Sequence, residues 1–190
     1  MKLRFSKIKT PEELLAFMKN NINYGYLGKS KRVYNYIDPD FNNNWYKDYI
    51  LQDKESLLKT LHGICWDQVE LEREWFSNNN YEFKTIFEMV SLDYNNNYPT
   101  HTFLVYKDNN KWNWFENSDD INKGIHTFNS FDELINYQYE TYINRLKEDN
   151  ITNEEIKQII ITEYQKPKAG INVPSYLDWV INSSKIDFNK

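Results

Sequence analysis

Apolar and polar positions follow two rhythms along the chain. Thr10-Pro11-Glu12-Glu13 is a helix start, with Thr as cap, Pro in the first turn and Glu three residues after the cap. Leu14, Leu15, Phe17 and Met18 then form one apolar side, which predicts a helix to about Asn21. From Tyr24 to about Tyr46 the chain is rich in Gly, Asn, Asp and Tyr and reads as loop with short extended pieces. A short helix is predicted over 54–61, stopping at His62-Gly63, where Gly suits the C-terminal position. A second starts at Cys65 and runs to about Ser77.

The period then drops to two. Residues 83–92, 100–107 and 111–117 read as strands separated by Asn-rich turns. Ser130 with Glu133 opens a long helix to about Glu148. Thr152 with Glu155 opens another, ending before Pro167, and Ser175 with Asp178 caps a short last one. Helices, then antiparallel strands, then helices predict an α+β fold. One domain is expected over 1–190, with its core at 10–130 and a C-terminal helical extension at 131–190.

Composition supports a folded domain and removes several function classes. Leu, Ile, Val and Phe number 49 of 190 residues, about 26% and above the roughly 20% below which disorder is expected. Aromatic residues are abundant, and the 26 Asn include three Asn-Asn-Asn runs, at 42–44, 78–80 and 95–97, that read as loop tips. No apolar run approaches the roughly 18 residues of a membrane helix. The first seven residues carry basic groups with no apolar stretch behind them, so no cleaved signal peptide is expected and a cytoplasmic location follows. Net charge is −5, and the longest basic cluster is Lys29-Ser30-Lys31-Arg32, so a nucleic-acid partner is not expected. Glycine-rich phosphate loops are absent. One Cys excludes an internal disulfide and a multi-cysteine zinc site, and the three His are scattered, so neither metal nor cofactor is expected.

That Cys is the most informative residue. Gly63-Ile64-Cys65-Trp66-Asp67 places it at a helix N-terminus after a glycine-containing break. Unpaired backbone N–H groups and the helix dipole favour a thiolate there, the nucleophilic form of the residue. The plainer alternative is a small buried hydrophobe. Winding the helix at about 100° per residue puts Phe76, Val69 and Trp66 on one side of Cys65 and Leu71 and Trp75 on the other. Asp67, Glu70 and Glu74 fall opposite, as a solvent face. Gln68, Glu72 and Arg73 fall inside the buried arc, where pairing within the core is the expectation for the two charges.

The strand pair 100–106 and 111–117 adds the second group. With a turn centred on Asp108-Asn109, Tyr106 faces Lys111, Leu104 faces Asn113, and His101 faces Glu116, about 5 Å between Cβ atoms. A three-residue turn would bring Asn117 opposite His101 instead. Asp119 and Asp120 could replace Glu116 if the register slips, and His126 is expected to be structural. Phe103, Val105, Trp112 and Trp114 share the His101 face, which is therefore expected to receive the cysteine helix.

Taken in chain order, these residues resemble the transglutaminase-like superfamily of papain-fold cysteine enzymes. The resemblance covers roughly residues 10–118 and rests on Ser56-Leu57-Leu58-Lys59-Thr60-Leu61-His62-Gly63-Ile64-Cys65-Trp66-Asp67, then the His-bearing strand, then a Trp-containing strand ending in the acid. It implies a papain-like core with the cysteine helix packed on an antiparallel sheet. It implies Cys65 as nucleophile, His101 as base and Glu116 as orienting acid, with Glu where the family carries Asp and Asn117 as the alternative third member. The implied reaction is cysteine-dependent acyl transfer on a peptide or protein amide through a thioester, resolved by water or an amine. Oxyanion donors or site-lining groups are sought in the backbone N–H of Cys65 and at Trp66, Trp45 and Gln52. A catalytically idle domain that binds protein or peptide is the alternative.

Overall fold

The computed structural model describes residues 5–91 and 99–187 of the chain. The Asn95–Asn97 run lies outside the described residues. Thr10 caps α1 (Pro11–Asn21) by accepting from the Glu13 backbone N–H. A small hairpin, β1 (Gly25–Leu27) and β2 (Val33–Asn35), leads to α2 (Phe41–Asp48), α3 (Lys54–Thr60) and the cysteine-bearing α4 (Cys65–Asn78). Strands β3 (Glu82–Val90), β4 (His101–Asp108), β5 (Lys111–Glu116) and β6 (Gly124–Phe128) follow. The chain continues through α5 (Phe131–Glu148), α6 (Asn153–Ile156), β7 (Ile159–Glu163), α7 (Val173–Ile181) and β8 (Ser184–Lys185). The result is α+β, with an antiparallel six-stranded sheet ordered β6-β5-β4-β3-β7-β8. Among the described residues no helix is long and apolar enough to cross a membrane.

Two helical layers cover the sheet. Leu71, Trp75 and Phe76 of α4 pack with α1 against Leu104, Tyr106 and Phe115. On the other face Leu134, Ile135, Tyr139 and Tyr142 of α5 pack against Phe103, Val105 and Trp114. The expectation that the Phe103 face receives the cysteine helix is therefore wrong. That face belongs to α5, an element the sequence pattern showed but could not dock. Near the N-terminus of α4 a third cluster joins Cys65, Trp66 and Val69 to Phe87, Met89 and Tyr176, with Trp66 stacked on Tyr176 at 3.9 Å between ring centroids.

Several local expectations change for identifiable reasons. The β4–β5 turn centres on Asn109-Asn110, both left-handed, so Tyr106 pairs with Asn113 and Leu104 with Phe115, two residues from the expected register. Left-handed φ at both central positions gives a turn twist that suits a two-residue hairpin, and Asn tolerates it. The Asn42–Asn44 run is helical, not a loop tip. Tertiary contacts override weak propensity there: Phe41 packs on Tyr26 and Trp45 on Tyr49 and Trp66. In the 131–190 region, α6 ends at Ile156 and Ile159-Ile160-Ile161-Thr162 become strand instead of continued helix. Four β-branched residues favour that outcome, and β7 pairs along β3. The segment is thus part of the sheet and not a purely helical extension.

The supposed solvent face of α4 is also absent over its first two turns, because Asp67 and Glu70 are buried. At the end of α3 it is Leu61, not Gly63, that takes the left-handed cap. Gly63 is needed for proximity: a Cβ there would come 2.7 Å from Leu57 Cδ1 and 3.0 Å from Asp67 Cβ. Gly63→Ala is expected to cost about 1–3 kcal/mol through overpacking, read as a lowered urea midpoint with unchanged slope. An unchanged midpoint would show that the α3–α4 junction yields freely.

Candidate active site

Polar groups fix the start of α4 in place of an exposed cap. Asp67 Oδ2 accepts from the Ile64 N–H at 3.1 Å, while Oδ1 accepts from the Gln52 N–H at 2.8 Å and the Tyr49 hydroxyl at 3.0 Å. Burial pushes this carboxyl up to about 7 against the pull of those donors. Gln68 Nε2 donates to the Gly63 carbonyl at 2.8 Å, and its Oε1 accepts from Asn117 Nδ2 at 2.7 Å. Helix start, preceding loop and the end of β5 are thereby tied together around Cys65, a free thiol only 5% exposed.

His101 bridges this helix start to the sheet. Its Nε2 meets Glu116 Oε2 at 2.7 Å, both groups buried. In the observed register Glu116 is a diagonal neighbour of His101 on the same face, a separation of about 7–8 Å between backbones that long side chains can span. The extra methylene of Glu over Asp supplies that reach. The other carboxylate oxygen is held by the Ser118 N–H at 2.6 Å, the Ser118 hydroxyl at 2.9 Å and the Asp119 N–H at 2.8 Å. The Cys65 side chain lies near the same imidazole and helps to raise its pKa. Burial alone would hold the ring neutral, but the Glu116 charge and the Cys65 side chain carry its pKa well above the ordinary 6.5. Imidazolium is thus the favoured form, with a carboxylate in contact and the sulfur nearby.

The remaining sequence candidates divide. Asn117 is beside the site but bonds Gln68, not His101. Trp66 is buried in its stack with Tyr176 and meets Trp45 edge to face at 5.5 Å. Gln52 has its amide occupied: Nε2 donates to the His62 carbonyl at 2.8 Å and Oε1 accepts from Thr60. It orders the approach to α4. His126 bonds the Asn122 carbonyl and stacks on Trp114, a structural role. Asp119 binds Asn122 and Asp120 binds Lys123, so neither replaces Glu116. No cluster of three or more His, Cys, Asp or Glu suited to a metal occurs among the described residues.

Three further groups surround the imidazole. Arg73 pairs with Glu70, which leaves Glu72 buried with Oε2 unsatisfied. Burial first, and the nearby Glu116 charge second, push the Glu72 carboxyl well up. Glu88 stands directly across the β3–β4 ladder from His101, and its Oε2 also lacks a partner. Burial raises it to about 8, with His101 and Arg145 pulling the other way. Tyr24 brings its phenol near Cys65 and Glu116; burial and the Cys65 charge raise it well above its ordinary value. The inward position of Glu72 was readable from the helix winding, but its failure to pair with Arg73 was not. Glu88 needed the β3–β4 register, which the intervening segment conceals. A cavity of about 590 Å3 opens beside them, lined by His101, Glu88, Tyr24, Arg145 and residues of the 118–122 loop.

Neither a protein-family model nor a curated protein sequence matches the chain.

Glu88 also sets a pH dependence of stability. A folded-state value of about 8 against about 4.5 unfolded means the folded protein binds the proton more tightly. The stabilisation is complete below about pH 4.5 and is lost as pH rises to about 8. Urea unfolding across that range should show stability falling with pH, and Glu88→Gln should flatten the slope by at most about 1.4 kcal/mol per pH unit. Asp67 titrates in the same window and leaves a residual slope. An identical slope in the variant would mean that Glu88 is ionised in the folded state.

Proposed function

We propose that the chain is a transglutaminase-like, cysteine-dependent acyl-transfer enzyme acting on an amide bond. The observation that carries the reading is one imidazole in contact with the Glu116 carboxylate and near the Cys65 side chain, at the junction of a helix N-terminus and a strand end. In this reading Cys65 sulfur attacks the amide carbonyl, and His101 supplies its proton to the leaving amine. Glu116 fixes the ring and stabilises its charged form. The backbone N–H of Cys65 at the first turn of α4 is the natural donor to the oxyanion. The same three groups serve peptidase, amidase, deamidase and transamidation chemistry, because the nucleophile that resolves the thioester comes from outside the triad.

The burial of Cys65 favours a second reading, a catalytically idle domain that binds protein or peptide. Thiol reactivity separates the two. Iodoacetamide should label Cys65 well below pH 8.5, the ordinary thiol value, and His101→Ala should lower the rate at pH 6 by at least ~10-fold. Glu116→Gln should weaken the low-pH reactivity by a smaller factor. A rate that rises only near pH 8.5 in both wild type and His101→Ala would discard the enzyme and leave the binding domain.

A further inference from the structure

The cavity beside His101 carries a chemistry of its own. Its described lining includes five carboxyl side chains, Glu88, Asp119, Asp120, Glu148 and Asp149, against Arg145 and the His101 imidazolium, whose charge Glu116 balances. Asp120 is paired with Lys123 and Asp119 holds Asn122. Glu88, Glu148 and Asp149 form no ion pair among the described residues, and the latter two are exposed at the rim. Two buried side chains in the lining keep an unsatisfied polar atom: Glu88 Oε2 and Gln138 Nε2, on residues 2% and 1% exposed. Such atoms are costly to retain without a partner, and their position in a cavity wall points to a ligand that supplies one. Tyr24 and Tyr36, edge to face at 5.8 Å between centroids, add partly exposed aromatic surface at the same cavity.

We propose that this cavity is the subsite for a basic side chain, a guanidinium above all, of the peptide whose amide Cys65 attacks. A guanidinium presents five donors in one plane, enough to meet Glu88 and the rim carboxylates together, and its positive charge drives the Glu88 proton into solvent on binding. Its alkyl stem suits the tyrosine faces, which also attract a cation. Gln138 Nε2 is left for a backbone carbonyl of the same peptide. Because His101 lines the cavity, a residue seated there carries its neighbouring carbonyl to the imidazole. The bound cation is a recognition element and not the amine that resolves the thioester, since a guanidinium stays protonated. Arg145 opposes it, as does the His101 imidazolium, whose charge is balanced by Glu116. This assignment rests on the acyl-transfer reading, but binding can be measured without turnover.

The test uses the full chain carrying Cys65→Ala, titrated calorimetrically at pH 7 with N-acetyl-arginine amide and with its uncharged analogue N-acetyl-citrulline amide. The arginine probe should bind at least tenfold more tightly. Glu88→Gln should abolish most of that preference, and Arg145→Met should increase it. Glu148→Gln with Asp149→Asn, both at exposed positions, should reduce it several-fold and decides the matter if Glu88→Gln fails to fold. Equal affinity for the two probes, or a preference unchanged by the rim variant, overturns the proposal. Failure of the thiol-labelling pattern with arginine preference intact would sink the catalytic reading alone and leave a cation-binding cavity.

Discussion

The contact between His101 and Glu116 is the interaction on which the rest of the arrangement depends. A buried imidazolium is stable only if a counter-charge lies within contact distance, and a buried carboxylate only if its lone pairs are met. Glu116 satisfies both conditions, with one oxygen on the ring and the other holding the backbone of residues 118 and 119. The carboxylate therefore shapes the turn after β5 while it orients the His101 ring. The neighbouring acids adapt to burial and to the Glu116 charge: Glu72 and Glu88 hold their protons.

The strand pair shows how a wrong register still brought the expected two side chains into contact. A shift of two residues leaves every side chain on its original face, because alternation has a period of two. His101 and Glu116 were thus kept together, as diagonal neighbours in place of direct ones. A shift of one residue would have set Asn117 on the His101 face. In the observed register Asn117 points to α4 and binds Gln68. Side-chain length then decides the contact, and Glu has the reach that the diagonal requires.

What the chain revealed in advance was mostly local. Caps at Thr10 and Ser130, the start of α4 at Cys65 and strands β3 to β5 all follow from short-range chemistry. Tertiary contact decided what was missed. Helix α2 contains three Asn in its first four residues and is held by packing on Tyr26, Tyr49 and Trp66. Strand β7 follows a sound capping box at Thr152 and Glu155 that launches only one turn of helix. For the site, Cys65, His101 and Glu116 were legible because residue type and spacing suffice to place them. Glu88 and Gln138 were not, since each matters through an unmet atom in a cavity that only the assembled fold creates.

The position of β7 bears on how the protein is made. Strand β3 is hydrogen-bonded on one side to β4, a near neighbour in sequence, and on the other to β7, some seventy residues later. During synthesis the first side can close early, while the second stays an open ladder until β7 has left the ribosome. Open edges of apolar strands recruit other chains, and β3 carries Ile86, Phe87, Met89 and Val90. Tyr176, which stacks on Trp66 beside Cys65, arrives later still. The packing around the thiol is thus completed by segments translated more than a hundred residues after Cys65, and a nascent chain holds its cysteine unshielded until then.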